Sequence, residues 1–336
     1  MGEIKKFFPY VKSSTAAFVI PLFNTGNPEE YIWLNETLKS IERQTDDDWM
    51  IIIVDDSSPD KKVRDFLQQF KKKYNDKIEL IILPKNKGPG NARNVGIKRA
   101  YELGCPFILY LDSDDTAHPE RLAVTRKIFS DKPLVGVVYS SFEVIDEYGN
   151  YVDEKDIIPS ILEIIEQHRN HPLQGRGVWL KIALETGYIN LTSATSVRTE
   201  LAYEYPFPIE RVSEDYYTWL VYSASGWEYA YSDIIPAKYR IPGEIEGSRT
   251  RSMLGGQHNF NMIKSIVDVR GFQAALDLAC ISGEISESMK DELLIRFFLI
   301  KSKSMKRDGE NDIAMDYYRR AYEIDKQMAY KIQCTI

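Results

Sequence analysis

The chain has 336 residues, of which 43% are hydrophobic and 28% charged, the composition of a globular protein with two domains or with one large domain and an appendage. The formal net charge of −7 argues against a general nucleic-acid-binding protein, because that class carries a basic surplus. Cys105, Cys280 and Cys334 show neither a disulfide framework nor zinc-ligand spacing, and no apolar run is long enough to span a membrane.

The first 115 residues alternate short apolar runs with amphipathic stretches. The apolar runs predict strands, and the stretches between them, with apolar residues at three-to-four spacing, predict helices. The predicted strands are residues 16–23, 49–57, 77–84 and 106–112, and the predicted helices are 28–44, 59–74 and 90–104. This alternation predicts an α/β fold with a doubly wound, mainly parallel sheet flanked by helices.

The pattern changes after about residue 115. The next predicted elements are a strand at 134–146, a helix at 157–168, a helix at 212–226 and a strand at 227–240. From about residue 255 to the end, the pattern predicts an all-helical C-terminal extension.

Polar residues follow the predicted strands. Asn24 follows the first strand, Asp55 and Asp56 end the second, and DSDD, residues 112–115, ends the fourth. In a parallel sheet these ends gather at one edge, where ligands bind. Three carboxylates within four positions repel one another unless a cation or a set of hydrogen-bond donors compensates their charge. The alternative is a solvated turn whose acids cap the next helix.

The loops carry no common Gly-rich phosphate cradle. The turn PLFNTGNPEE lacks the G-x-G-x-x-G pattern, and KNKGPGNARN does not fit a P-loop. A bound phosphate must therefore be neutralised in another way, and Mn²⁺ or Mg²⁺ held by strand-end carboxylates is the obvious candidate.

Five motifs occur in one order along the chain: VIPLFN, IIIVDDSSPD, KNKGPGNARNVGI, YLDSDD and SEDYYTWLVYSASG. With them, the chain up to about residue 240 resembles a family 2 glycosyltransferase, a nucleotide-diphospho-sugar transferase with the Rossmann-like GT-A fold. The resemblance implies a catalytic domain at residues 1–251, with a nucleotide-sugar-binding half at 1–115 and an acceptor-binding half at 116–251. Residues 252–336 are expected to form the helical extension.

The resemblance implies a nucleotide site. Asp55 and Asp56 are expected at the base and ribose of a nucleotide-sugar, in a pocket lined by Pro21 and Asn24. Arg93 is expected to hold the base or the pyrophosphate.

The resemblance also implies a metal site and a base. Asp112 and Asp114 match the DXD motif, with Asp112 leaning to the ribose and Asp114 binding Mn²⁺ or Mg²⁺. In SEDYY, Asp215 is implied as the general base and Glu214 as its neighbour.

The implied reaction is an inverting transfer from a UDP-sugar or another nucleotide-sugar to an acceptor hydroxyl, in polysaccharide or glycoconjugate synthesis. A carboxylate that removes the acceptor proton makes a covalent intermediate unnecessary. One alternative is a nucleotidyltransferase-like enzyme, which usually has a Gly-rich loop with a Lys after the first strand. The other is a non-catalytic relative that binds nucleotide-sugars, against which the intact carboxylates argue.

The loop that closes over the phosphates departs from the family pattern. Family members often carry a His soon after a Tyr-Arg pair, but Pro242 stands at that place. Arg240, Arg249 and Arg251 are candidate cations for the pyrophosphate, and His258 is another candidate. A solvated loop is the alternative.

The N-terminus has no long apolar core, so we expect no signal peptide and a reducing, cytoplasmic setting. Residues 293–307 mix apolar and basic side chains. The helical extension is therefore expected to pack on the catalytic domain, to pair subunits in a homodimer, or to lie on the inner face of a membrane near a lipid-linked acceptor. The expected acceptor is a carbohydrate or a lipid-linked molecule.

Overall fold

The structure is a computed structural model that describes residues 14–241, 251 and 253–336, with only the backbone of residue 75. The chain forms two compact units. The sheet unit contains residues 14–173, 190–209 and 229–241 of the described chain. The helical unit contains residues 174–189, 210–228, 251 and 253–336.

The sheet unit is built on a seven-stranded mixed sheet in the order β3–β2–β1–β4–β6–β5–β7. The strands are β1 Ala16–Leu22, β2 Trp49–Asp55, β3 Ile78–Ile82, β4 Phe107–Tyr110, β5 Val135–Ile145, β6 Thr195–Arg198 and β7 Glu228–Arg240. β1 pairs in parallel with β2 and β4, and β2 with β3, whereas β6 runs antiparallel to both β4 and β5.

The helices described fall in both units. They are α1 Pro28–Glu42, α2 Lys62–Tyr74, α3 Pro89–Glu102, α4 Arg121–Asp131, α5 Pro159–Asn170, α6 Val178–Lys181, α7 Thr199–Glu204, α8 Glu214–Ala224, α9 Gln257–Ile281, α10 Lys290–Arg307, α11 Asn311–Ile324 and α12 Lys326–Gln333.

Every residue of β1 and β2 is buried. Strands covered on both faces read as near-continuous apolar runs, as AAFVIPL and WMIIIVD do. Phe18 and Ile20 belong to the core that contains Leu34 of α1. On the other face, a Cβ added to Gly96 of α3 would lie 2.5 Å from Val19 Cγ1, so a glycine is needed for α3 to pack this closely on the strand.

The predicted mainly parallel α/β fold is confirmed, with element boundaries that move by a few residues. The second strand ends at Asp55 and not at residue 57, and the second helix begins at Lys62 and not at residue 59. The sequence pattern did not predict β6, whose residues are TSVR. It is a strand because Ser196 pairs with Leu109 on one side and Val138 on the other.

The helical unit contains α6, α8 and the C-terminal helices α9 to α12. The helical character predicted for the C-terminal region is confirmed. The domain boundary at residue 251 stays a prediction, since the compact units alternate along the chain and α8 precedes that boundary.

Helix α10 covers the segment that mixes apolar and basic residues. Leu293, Ile295, Phe297, Phe298 and Leu299 are buried, and Phe297 stacks on Phe272 of α9 with ring centroids 4.5 Å apart. These apolar side chains pack inside the helical unit. Among the described residues, no helix is both long and apolar enough to cross a bilayer.

Candidate active site

The carboxyl ends of β1 and β2 meet at one edge of the sheet, as predicted. Leu22, the last residue of β1, pairs with Asp55, the last residue of β2. The N–H of Asp56 donates to the Leu22 carbonyl at 2.7 Å, and the N–H of Leu83 donates to the Asp55 carbonyl at 2.8 Å. These hydrogen bonds hold the ends of the strands in place, and thus the backbone from which the following polar residues project.

Asp55 and Asn24 present unsatisfied polar atoms there. Asp55 is fully buried; its Oδ1 accepts from the Ser58 N–H at 2.8 Å, while its Oδ2 lies 3.7 Å from Arg64 Nε. Asn24 is 1% exposed, and its Oδ1 accepts from the Gly26 N–H at 2.8 Å. Neither Asp55 Oδ2 nor Asn24 Nδ2 has a hydrogen-bond partner within the described chain. Buried polar atoms normally have partners, so these two are suited to a ligand.

Asp56 and Pro21 have different surroundings. Asp56 Oδ2 accepts from the Gly88 N–H at 2.7 Å, and its two oxygens lie 3.0 and 3.1 Å from the Lys87 nitrogen, which donates to them. Asp56 thus ties the end of β2 to the start of α3. Pro21 is buried inside β1, opposite Val54, and can line a pocket only through its shape.

The acid loop, residues 112–115, follows β4 and is held by side chains from other elements. Arg93 of α3 donates from Nη2 to Asp112 Oδ1 at 2.7 Å. The N–H of Asp112 donates to Ser193 Oγ at 2.9 Å. Arg93 therefore orients Asp112, and its contact with a base or pyrophosphate stays a prediction.

Asp115 is the buried member of the acid loop. It is 1% exposed, and its Oδ1 accepts from the Arg240 N–H at 2.8 Å. Burial, followed by the charges of Asp114 and Asp112, raises the pKa of Asp115 well above its usual value. Burial lowers the pKa of Arg121 on α4 to about 9, against the attraction of Asp115 and Asp112. The cationic Arg121 thus offsets part of the repulsion in the loop.

Arg240 was expected at the pyrophosphate, but its guanidinium bonds to the protein. The side chain is 1% exposed. Its Nε donates to the Asp114 carbonyl at 2.8 Å, its Nη1 to the Asp146 carbonyl at 2.9 Å, and its Nη2 to Glu36 Oε2 at 2.6 Å. This geometry favours a role for Arg240 in holding the acid loop in place of the expected phosphate contact.

Asp112 and Asp114 fit a hard divalent cation. Both are partly exposed, whereas Asp115 is buried. Asp112 Oδ2 accepts no hydrogen bond from the described residues, because the bond from Arg93 goes to Oδ1. One or two carboxylates together with phosphate oxygens form the ligand set that Mg²⁺ and Mn²⁺ take.

Glu214 and Asp215 begin helix α8 in the helical unit. Glu214 is 8% exposed. Asp215 is partly exposed, and its Oδ1 accepts from the Tyr216 N–H at 2.8 Å and from the Tyr188 hydroxyl at 3.3 Å. The preceding residue, Ser213, has a φ of +61°. A partly exposed carboxylate that is held in place can act as a proton acceptor, and the helix N-terminus favours its negative charge.

Several residues of these two regions carried no motif signal. Ser193 bonds to Asp112 and Tyr188 to Asp215, yet each lies far along the chain from its partner. Arg121 lies near the acid loop in the chain, but its charge interacts with Asp115 and Asp112 from a buried position that no motif indicates. Asp268, which accepts a hydrogen bond from the hydroxyl of Ser213 before α8, gave a weak signal, since this charged residue stands between Val267 and Val269 in the sequence.

The closing loop is described only in part. Pro242 and Arg249 lie outside the described residues. His258 Nδ1 lies 2.6 Å from Glu310 Oε2, and its Nε2 lies 3.6 Å from Asp312 Oδ2. Although these three side chains could cluster around an ion, each ring nitrogen faces a different carboxylate, which suits a protonated imidazole. A phosphate contact for His258 stays a prediction.

Comparison with known sequences gives one family. The family model for Glycosyl transferase family 2 matches residues 17–198. An uncharacterised glycosyltransferase of Rickettsia conorii is 33% identical over 135 residues, which are 40% of this chain and 20% of the relative. The putative teichuronic acid biosynthesis glycosyltransferase TuaG of Bacillus subtilis is 36% identical over 96 residues, which are 29% of this chain and 35% of the relative. The chain spans about one fifth of the first curated relatives that it matches.

Solved structures share the fold. Residues 1–349 of S. aureus TarS in complex with UDP align with a TM-score of 0.53 and 14% identity, over 95% of this chain and 90% of that one. The mannosyltransferase PcManGT of Pyrobaculum calidifontis with GDP-Man and Mn²⁺ aligns with a TM-score of 0.55 and 15% identity, over 97% and 79%. At such identities the likeness shows the GT-A fold alone.

Proposed function

The chain belongs to glycosyl transferase family 2, and on that premise we propose that it is an inverting, metal-dependent glycosyltransferase. It takes a sugar from a nucleotide-diphospho-sugar, with a UDP-sugar as the first candidate, and passes it to an acceptor hydroxyl. The observation that carries the proposal is the acid loop, where Asp112 and Asp114 stay partly exposed at the end of β4 while Asp115 is buried.

The acid loop places two partly exposed carboxylates, those of Asp112 and Asp114, within three positions of the chain. Arg93 contacts one oxygen of Asp112, and Arg240 contacts the Asp114 carbonyl rather than its carboxylate. Two partly exposed carboxylates this close in the chain favour a bound cation, because a cation offsets their mutual repulsion. When bound, a divalent ion stabilises the negative charge that grows on the departing diphosphate.

Asp55 and Asn24 are the proposed contacts for the nucleoside. Asp55 Oδ2 can accept from a base N–H or a ribose hydroxyl, and Asn24 Nδ2 can donate to a carbonyl or hydroxyl oxygen. The UDP complex of TarS and the GDP-Man complex of the mannosyltransferase support a nucleotide donor. Arg93 and Asp112 are proposed to lie beside the same ligand.

Asp215 is the proposed general base, with Glu214 as its neighbour. It takes the proton of the acceptor hydroxyl while the oxygen attacks the anomeric carbon from the face opposite the diphosphate. A well-placed base contributes about 10²–10⁴-fold to the rate. One base and a single displacement invert the anomeric configuration.

We propose a carbohydrate or lipid-linked acceptor in polysaccharide or glycoconjugate assembly. The similarity to the putative teichuronic acid biosynthesis glycosyltransferase TuaG of Bacillus subtilis supports this class. A cytoplasmic location and a homodimer through the C-terminal helices remain proposals. The burial of the apolar side chains of α10 weakens the sequence argument for membrane contact.

A donor panel tests the proposal. The purified chain is incubated with UDP-glucose, UDP-GlcNAc or GDP-mannose, with and without MnCl₂, and free UDP or GDP is measured. We expect metal-dependent release from at least one donor. Release of a sugar 1-phosphate instead indicates nucleotidyl transfer, and UDP binding without any turnover indicates a non-catalytic relative.

The metal role has its own variant. We expect Asp114→Ala to lose the Mn²⁺-dependent part of UDP binding in isothermal titration calorimetry. Asp153→Ala is the matched control, because the Asp153 side chain in the same unit is 79% exposed and pairs with Lys155. If the wild-type protein binds UDP equally well with and without Mn²⁺, the metal role of Asp114 is contradicted.

A further inference from the structure

An ion cluster around one buried carboxylate adjoins the first turn of α8. It consists of Asp268 and Lys264 on α9 and Lys301 on α10. Asp268 is 1% exposed, and its Oδ2 accepts from Lys264 Nζ at 2.5 Å and from Lys301 Nζ at 3.1 Å. Burial alone raises the pKa of Asp268, but the two lysines and a hydrogen bond from Ser213 outweigh it and lower that pKa below its usual value. The carboxylate is therefore ionised.

The ion cluster holds an unfavourable backbone conformation. Ser213 precedes α8 with a φ of +61° and a ψ of 17°, and it makes no side-chain capping bond to the helix. A residue with a Cβ keeps this left-handed conformation only where its surroundings impose it. The Ser213 hydroxyl donates to Asp268 Oδ1 at 2.5 Å, and the Ser213 carbonyl accepts from the Tyr217 N–H at 3.0 Å. Asp268 thus fixes the residue from which α8 starts.

Ser213 is connected to Asp215 through the hydroxyl of Tyr188. The Tyr188 hydroxyl lies 3.0 Å from Ser213 Oγ and 3.3 Å from Asp215 Oδ1. Because Ser213 gives its hydrogen to Asp268, the single hydrogen of the Tyr188 hydroxyl is directed to Ser213 or to Asp215. Lys301 Nζ also lies 4.8 Å from the ring centroid of Tyr216, whose N–H holds Asp215.

Helices α8 and α9 pack at backbone distance. A Cβ added to Gly271 of α9 would lie 2.9 Å from Tyr217 Cα. Because Gly271 has no side chain, the backbone of α9 lies against Tyr217 at this point, and a shift of α9 would act on the first turn of α8.

We propose that Asp268 is a positioning residue for glycosyl transfer: through Ser213 it fixes the direction in which the Asp215 carboxylate points. Lys264 and Lys301 hold Asp268 in place. The inference rests on the proposed role of Asp215 as the general base. A positioning role can be told apart from a purely stabilising role, because loss of positioning lowers kcat while donor binding stays unchanged.

Three substitutions test it, measured with the panel donor that gives the highest release. Asp268→Asn keeps the shape of the side chain but loses its charge, and Ser213→Ala keeps the Cβ that disfavours a positive φ but loses the hydroxyl that bonds to Asp268. We expect each to lower kcat about 10–10²-fold, the size of effect for a base displaced by about an ångström, with donor KM within about twofold. Ser213→Gly should lower kcat much less, because glycine adopts a positive φ freely. It should also restore part of the kcat lost in Asp268→Asn.

Asp277→Asn is the matched control, since this carboxylate on the same helix is 67% exposed and pairs with Lys290. We expect wild-type kcat from it. Hydrogen exchange of the peptide at the start of α8 gives a readout that does not depend on catalysis. Exchange should be faster in Asp268→Asn and return towards the wild-type rate when Ser213→Gly is added.

The outcomes separate this inference from the proposed function. If Asp215→Asn is inactive but folded Asp268→Asn keeps its kcat or its exchange rate, the positioning role is overturned and the proposed function stands. If Asp215→Asn keeps wild-type kcat, the assignment of Asp215 as the base fails and the positioning role fails with it, whereas a donor panel without metal-dependent release overturns the proposed function itself. If Asp268→Asn does not fold, the two Ser213 variants decide, and equal kcat values for them overturn the inference.

Discussion

Two serines share an unusual backbone conformation, and each adjoins an acidic pair. Ser57, with a φ of +63°, follows Asp55 and Asp56 in the sheet unit. Ser213, with a φ of +61°, precedes Glu214 and Asp215 in the helical unit. Within the described chain no other residue except glycine has a positive φ.

The two regions hold their acids by different means. At the end of β2, backbone N–H groups of Ser58, Lys87 and Gly88 donate to the carboxylates, and the Ser57 side chain forms no hydrogen bond with the described residues. At the start of α8, the Ser213 hydroxyl bonds to Asp268, which lies 55 residues away along the chain. The first arrangement follows from a turn and a neighbouring loop, and the second depends on side chains from other helices.

The largest expected effect lies on the α8 side of this comparison. Asp215→Asn keeps the shape of the side chain but cannot take up the acceptor proton, so kcat should fall by about 10²–10⁴-fold. Donor KM and thermal stability should stay near wild type in steady-state and melting experiments. Asp291→Asn, an exposed acid in the first turn of α10, is the control. Unchanged turnover of Asp215→Asn refutes the assignment of the base.

At the end of β2, we expect the carboxylate of Asp56 to stabilise the fold. Asp56→Ala leaves the buried N–H of Gly88 and the N–H of Lys87 without their acceptor, so the free energy of unfolding should fall by about 2–5 kcal/mol. Urea denaturation measures this, with Asp153→Ala as an exposed control. A loss of UDP affinity at full stability would instead make Asp56 a direct ligand of the nucleotide.

Glycine substitution should have opposite signs at the two serines. Ser57→Gly relieves the left-handed conformation and loses no hydrogen bond, so it should raise the free energy of unfolding by about 0.5 kcal/mol after the entropy cost of glycine. Ser213→Gly also relieves the conformation but loses the bond to Asp268, so it should lower stability. Urea denaturation of both variants measures the change in the free energy of unfolding. Changes of the same sign would contradict the different roles assigned to the Ser57 and Ser213 side chains.

The smallest expected effect on stability comes from the surface ion pair of His258 with Glu310, which involves neither of the two acidic pairs. The hydrogen bond with Glu310, opposed by slight burial and aided by the charge of Asp312, raises the pKa of His258 above its usual value. A raised folded-state pKa stabilises the protein fully below the unfolded value of about 6.5 and loses this effect as pH rises through the folded pKa. Wild type should therefore be more stable than His258→Gln at about pH 5.5, and the difference should vanish at alkaline pH and shrink in high salt. A difference that grows with pH contradicts the ion pair.

The central part of the fold and the place of the acid loop could be predicted because their signals are local. Buried parallel strands require continuous apolar runs, and β1 and β2 supply them in seven residues each. Since parallel strands end at one edge, the sequence predicts that Asp55 and the acid loop lie at the same edge of the sheet. Strand β6 gave no such signal, because a short polar segment becomes a strand only when two neighbours offer it hydrogen bonds.

The amino-acid sequence by itself determined the alternation of strands and helices, the family, and the carboxylates offered to a metal and to an acceptor. Only the tertiary structure decided that Arg240 bonds to the acid loop, that Arg121 lies buried near it, and that Asp268 supports Ser213. The reason is physical. Backbone period and turn chemistry act between near neighbours along the chain, whereas a buried charge takes its partner from whichever element the packing brings within a few ångströms.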